Sequence, residues 1–122
     1  MPDPNPQALE FLLNRRSRPA KTLSTPVPDR AALAPILRAA LRTPDHGKLE
    51  PWRLIVLQGD AMTRLADLAQ VRGEVLGLDA EKIAKGRGQF DMGNLAVGVI
   101  ESPVIAEKLP NIEQTYSAGA VC

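Results

Sequence analysis

Residues 42–60 read RTPDHGKLEPWRLIVLQGD, and they place a strand directly behind a loop dense in ionisable side chains. From Trp52 to Gln58 the run is mostly apolar, is β-branched at Ile55 and Val56, and stops at Gly59-Asp60. A short apolar run bounded by turn residues predicts a buried strand. Ahead of it, Arg42, Asp45, His46, Lys48 and Glu50 share ten positions with Pro44 and Pro51. Prolines at that spacing predict a loop.

On the N-terminal side, Leu33, Ile36, Leu37, Ala40 and Leu41 form a helical stripe. Asp29 is a plausible cap for that helix, and Pro44 predicts its end near Arg42. Pro35 lies inside the pattern and predicts a kink or a late start. Residues 19–28 hold Pro19, Pro26 and Pro28, so an extended connection is expected. Before it, Asn5 and Pro6 suit the cap and first position of a helix carrying Ala8, Leu9, Leu12 and Leu13. Pro19 predicts that this helix fails by Arg18.

On the C-terminal side, Asp60 is expected to cap a helix over 61–72 that ends at Gly73. Asp79 predicts a short helix through Lys85, and glycines 86, 88 and 93 predict a mobile loop. LAVGVIES, residues 95–102, is a second strand candidate. LPNIEQTYSAGAVC, residues 109–122, reads as a helix start, with Asn111 and Gln114 at capping-box spacing. Its last residues are small and apolar, without a capping glycine or a polar last turn. The expectation is therefore a fragment of a longer protein, read as one incomplete domain over 1–122.

The chain has 122 residues, a net charge of +1 and four aromatic residues, two Phe, one Trp and one Tyr. Its core must come from Leu, Ile, Val and Ala. That charge argues against a general nucleic-acid binder. Cys122 is the only cysteine, so no internal disulfide forms, which fits a reducing, cytoplasmic setting. No apolar run approaches the roughly 18 residues of a membrane helix, and the N-terminus lacks a signal-peptide pattern.

Two basic groups stand out. NRRSRPAK, residues 14–21, packs Arg15, Arg16, Arg18 and Lys21 around Ser17. Arginine forks and a hydroxyl suit a phosphate; cations offsetting a helix dipole are the plainer reading. The second group is Arg42, His46 and Lys48. A lone histidine beside Asp45 suits a general base or a ligand contact, but a surface turn serving backbone needs explains it as well. His46 is the only histidine, so neither a histidine cluster nor a cysteine cluster is available for a metal. KGRGQF matches neither the P-loop nor the dinucleotide fingerprint. Glu113 and Gln114 read most simply as first-turn helix residues.

Taken in order, Arg15-Arg16-Ser17 after the first helix, RTPDH at 42–46, Pro51-Trp52 before the strand, and LPNIEQTYSAGAVC resemble the FMN-dependent nitroreductase family. The likeness is to its small YdjA-like branch, over the N-terminal two-thirds. Glu50 stands where the family often has Gln, and Ile112 where this branch usually has Trp. The resemblance implies an α+β, three-layer sandwich whose central sheet is flanked by helices, here truncated before the central helix and C-terminal strands. Such a truncation is expected to leave apolar surface on the sheet uncovered. It also implies an intertwined homodimer with FMN at the interface. Arg15, Arg16 and Ser17 would bind the FMN phosphate, ribityl chain and flavin edge, and Arg42 and His46 would reach FMN held mainly by the other subunit. Electrons would pass from NAD(P)H through FMN to a nitro group, quinone or similar acceptor, with no catalytic side chain required. Two other readings are a flavin- or anion-binding fragment without turnover and a helical interaction protein.

Overall fold

The computed structural model describes residues 3–122. Helix α1 spans Pro6–Asn14, with the Asn5 side chain accepting from the Ala8 N–H at 3.1 Å and Pro6 in the first turn. It ends earlier than Pro19 alone predicts. Arg15 leaves helical geometry at ψ 144, and Arg16 Nη1 donates to the carbonyls of Leu13 at 2.9 Å and Arg15 at 2.7 Å. A side chain satisfies carbonyls that another helical turn would have satisfied. The whole basic group therefore lies beyond the helix. No residue of α1 is buried, and Leu9, Phe11, Leu12 and Leu13 are all exposed.

Helix α2, Arg30–Ala40, is capped by Asp29, which accepts from the Ala32 N–H at 2.8 Å. It starts on time and carries Pro35 inside a single helix, so the missing proline N–H costs one bond without delaying the start. Strand β1 covers Trp52–Gln58 and pairs antiparallel with β2, Leu95–Glu101, from Trp52 opposite Glu101 to Gln58 opposite Leu95. Leu33, Ala34 and Leu37 of α2 line a cavity against Val56 and Gln58 of β1. The predicted burial of β1 is only partial: Ile55 and Val56, which point to opposite faces, are each 42% exposed.

Between the strands lies a helical hairpin of α3, Asp60–Val75, and α4, Ala80–Asp91. Asp60 is the first helical residue rather than the cap, and Gly59 takes the cap position at φ 54. The helix runs through Gly73 because that glycine is a packing site: a Cβ there would stand 2.8 Å from Ile83 Cγ1 of α4. Of the mobile loop predicted from glycines 86, 88 and 93, the first two lie in helix and only Gly93 lies beyond it, since Asp79 caps α4 through the Lys82 N–H and α4 packs along α3. Arg87 ties the pair, donating to Asp67 at 2.8 Å, Gln70 at 3.0 Å and Asp91 at 2.9 Å. The Lys82 ammonium beside Asp79 holds that carboxyl below its usual range. The stabilisation from this cap is thus present above the ordinary carboxylate range and is lost as pH falls through the lowered value.

Helix α5, Asn111–Ala120, packs on β2. Pro110, not Asn111, is its cap residue, and Gln114 makes no capping box. Its buried residues are Gln114, Ser117 and Ala118, joined by Val121 just beyond the helix. The α+β class stands: five helices and a two-stranded sheet among the described residues, with helices packed against the strands. No helix among them is long and apolar enough to cross a membrane.

The hairpin yields a paired test. Gly73→Ala places a methyl group against Ile83 and is expected to destabilise the chain by about 1–3 kcal/mol. Gly86→Ala, where a Cβ meets nothing within 4 Å, is expected to stabilise it by roughly 0.5–1 kcal/mol. Urea unfolding of both variants checks the opposite signs.

Candidate functional site

The loop between α2 and β1 is built under strain. Lys48 and Glu50 take φ of 53 and 47, which costs a non-glycine residue on the order of 1 kcal/mol or more. Asp45 offsets that cost: its Oδ2 accepts from the Glu50 N–H at 2.8 Å, and its carbonyl accepts from the Lys48 N–H at 3.3 Å. Gly47 is required, because φ is 79 and a Cβ would meet Leu109 Cδ1 at 2.7 Å. Pro51, fully buried, anchors the exit into β1, and its carbonyl accepts from the Ser102 N–H at 2.8 Å. Asp45 and Gly47 thus serve the backbone, as the turn reading expects.

On this frame sit Arg42 and His46, in two neighbouring cavities. Arg42, Thr43, Lys48, Glu50 and Trp52 line one of about 350 Å³. The Thr43 Oγ1 is buried and has no hydrogen-bond partner among the described residues. His46 lines the other, of about 340 Å³, with Pro44, Glu113, Tyr116 and Ser117. The His46 Nδ1 lies 2.8 Å from Glu113 Oε2. Glu113 was legible only as a first-turn helix residue; 67 positions separate it from His46, so no local spacing marks the pair. Thr43 carried no signal at all.

Glu113 is held by its neighbours. Gln114, 3% exposed, accepts from the Val104 N–H at 2.8 Å and donates to the Val104 carbonyl at 2.9 Å. Thr115 Oγ1 donates to Glu101 Oε1 at 2.6 Å. The start of α5 is therefore pinned to the end of β2.

The second predicted group lies apart. Arg15, Arg16 and Ser17 are exposed and line neither of these cavities. The Arg15 and Ser17 side chains make no hydrogen bond among the described residues, whereas Arg16 is engaged with the end of α1. One chain brings Arg15–Ser17 together, and brings Arg42 near His46, but does not join the two groups. No cluster of three or more potential metal-ligating side chains occurs among the described residues.

The model of the Nitroreductase family matches residues 12–114. An Escherichia coli K12 protein named "Putative NAD(P)H nitroreductase YdjA" is 36% identical over 112 residues, covering 92% of this chain and 60% of the relative. A Haemophilus influenzae protein named "Putative NAD(P)H nitroreductase" is 36% identical over 114 residues, with the same coverage of each. The chain thus spans about 60% of the length of these curated relatives.

Gln114→Leu keeps the volume and removes both bonds to Val104. It is expected to cost about 1–3 kcal/mol in thermal or urea unfolding, the toll of unpaired backbone groups. A smaller change would mean that water replaces the amide at Val104.

Proposed function

The chain belongs to the nitroreductase family, and on that premise we propose that it serves an FMN-dependent oxidoreductase that moves electrons from NAD(P)H to a nitro group, quinone or similar acceptor. When bound, FMN supplies the redox chemistry, so the protein has to bind, orient and tune rather than provide a nucleophile.

The observation that carries this reading is the state of the Arg15–Ser17 stretch. A helix C-terminus carries partial negative charge and is a poor neighbour for a phosphate. Arg16 offsets it by donating to the carbonyl of Leu13 in the last turn and to that of Arg15 just beyond the helix. Arg15 and Ser17 are left with free donors, which fit a phosphate dianion and ribityl oxygens. In the loop group, Arg42 adds a cation and Thr43 a buried hydroxyl without a partner among the described residues, a donor set suited to the polar atoms of a flavin.

The separation of the two groups within one chain supports a homodimer with FMN between subunits, each chain serving two sites. Leu9, Phe11, Leu12 and Leu13 support the same arrangement, because each is more than half exposed on α1, next to Arg15. Burying such a face against a second copy would remove apolar area from water at about 25 cal/mol per Å².

Flavin fluorescence titration tests the reading. The purified chain is expected to bind FMN, and Arg15→Ala to weaken binding by roughly 1.5–3 kcal/mol, the value of a charged hydrogen bond. Arg18→Ala is expected to leave it unchanged. NAD(P)H oxidation with a nitroaromatic or quinone then separates turnover from binding. Saturating FMN that neither binds nor raises the unfolding midpoint would overturn the flavin reading.

A further inference from the structure

His46 is the only histidine in the chain, and its ring has one strong side-chain partner. The Glu113 carboxylate, 2.8 Å from Nδ1, can only accept a hydrogen bond when ionised. The proton on the facing nitrogen is therefore on Nδ1. In the neutral imidazole this makes Nε2 the bare acceptor; in the cation Nε2 becomes a second donor. Either way one nitrogen is committed and the other is free.

The pair is built rather than casual. His46 comes from the strained loop that Asp45 ties together, and Glu113 from the first turn of α5. Gln114, the next residue, fixes that turn to the Val104 backbone. Imidazole, carboxylate and Tyr116 line the same cavity of about 340 Å³.

We propose that Glu113 is a positioning residue of the FMN site, holding His46 in its Nδ1–H form so that Nε2 is the nitrogen that meets the cofactor. This rests on the flavin reading above and adds to it a residue that touches no cofactor itself. The carboxylate restricts rotation of an imidazole that is otherwise largely exposed, and it selects the tautomer. The ordering cost of the ring is met in the free protein, before any ligand arrives.

Because there is one histidine, the ring nitrogens of ¹⁵N-labelled full chain give one set of signals. Long-range ¹H–¹⁵N spectra of the neutral ring are expected to show Nδ1 protonated and Nε2 bare, without FMN. Glu113→Ala is expected to lose that preference, and Glu113→Gln, whose amide oxygen still accepts, to keep it. In FMN titrations Glu113→Ala is expected to weaken binding about twofold to fivefold, the range of an exposed charge pair. Glu113→Gln should recover most of that loss, with the unfolding midpoint unchanged in both variants. A wild-type ring protonated on Nε2, or wild-type FMN affinity in Glu113→Ala, overturns the proposal. A wild-type chain that shows the Nδ1–H signature but binds no FMN overturns the flavin reading and the cofactor role assigned here, and the persisting signature tells that failure from a wrong geometry.

Discussion

The Gln114 carboxamide does for this fold what a short strand would otherwise do. A buried primary amide has a donor and an acceptor to satisfy, and so does an unpaired backbone unit. Gln114 and Val104 satisfy each other with two bonds of 2.8 and 2.9 Å. The segment after β2 is thereby fastened to α5 without extending the sheet. Thr115 adds the bond to Glu101 at the last pair of the ladder, opposite Trp52. Ser102 continues the connection to Pro51 and Arg53. From Gln114 a chain of contacts thus reaches the residue that ends the 42–50 loop.

That chain explains how a strained loop persists on so small a core. Two non-glycine residues with positive φ within three positions would relax if their flanks could move. One flank is the fully buried Pro51, locked to Ser102; within the loop, Asp45 satisfies the backbone at Lys48 and Glu50. Rigidity here comes from hydrogen bonds more than from apolar mass. The fully or nearly buried apolar side chains are few, with Leu33, Met62, Ala66, Ala118 and Val121 alongside Pro51. Much of the remaining apolar surface, on α1 and along α3, faces outward.

What could be read from sequence divides along a physical line. Caps made by one side chain to its own helix were legible: Asn5, Asp29 and Asp79 all bond the N–H three residues on. Strand limits set by Gly59 and by the apolar run were legible too. Signals that depend on a distant partner were not. Gly73 resembles a helix stop until Ile83 is seen against it, and the glycines of α4 resemble a loop until α3 is seen beside them. Asn111 and Gln114 have the spacing of a capping box, yet Val104 offers Gln114 two bonds where a box offers one. Clustered cations drew attention to 14–21 and 42–48, but only the resemblance to the family singled out Arg15, Arg16, Ser17, Arg42 and His46. Glu113 meets His46 across 67 positions and Thr43 is marked only by its buried hydroxyl, so neither stood out locally as a site residue.

Net charge leaves open how the charges are placed along the chain. A chain of net charge +1 holds three arginines within four residues just beyond α1, and Arg42, His46 and Lys48 around a single loop. In the loop, acids stand among the cations: Asp45 bonds the backbone, Glu50 lines the cavity of Arg42, and Glu113 meets His46. Near α1 no acid is paired with Arg15 or Ser17 among the described residues. The groups differ in one member, His46, whose ring is paired with a carboxylate. The α1 end offers unneutralised donors, as a phosphate dianion requires. In the loop only His46 meets an acid, Glu113, while Arg42 and Lys48 form no salt bridge among the described residues. Under the proposed function two separate groups suit the ligand itself, since FMN carries its fixed charge at one end and its chemistry at the other.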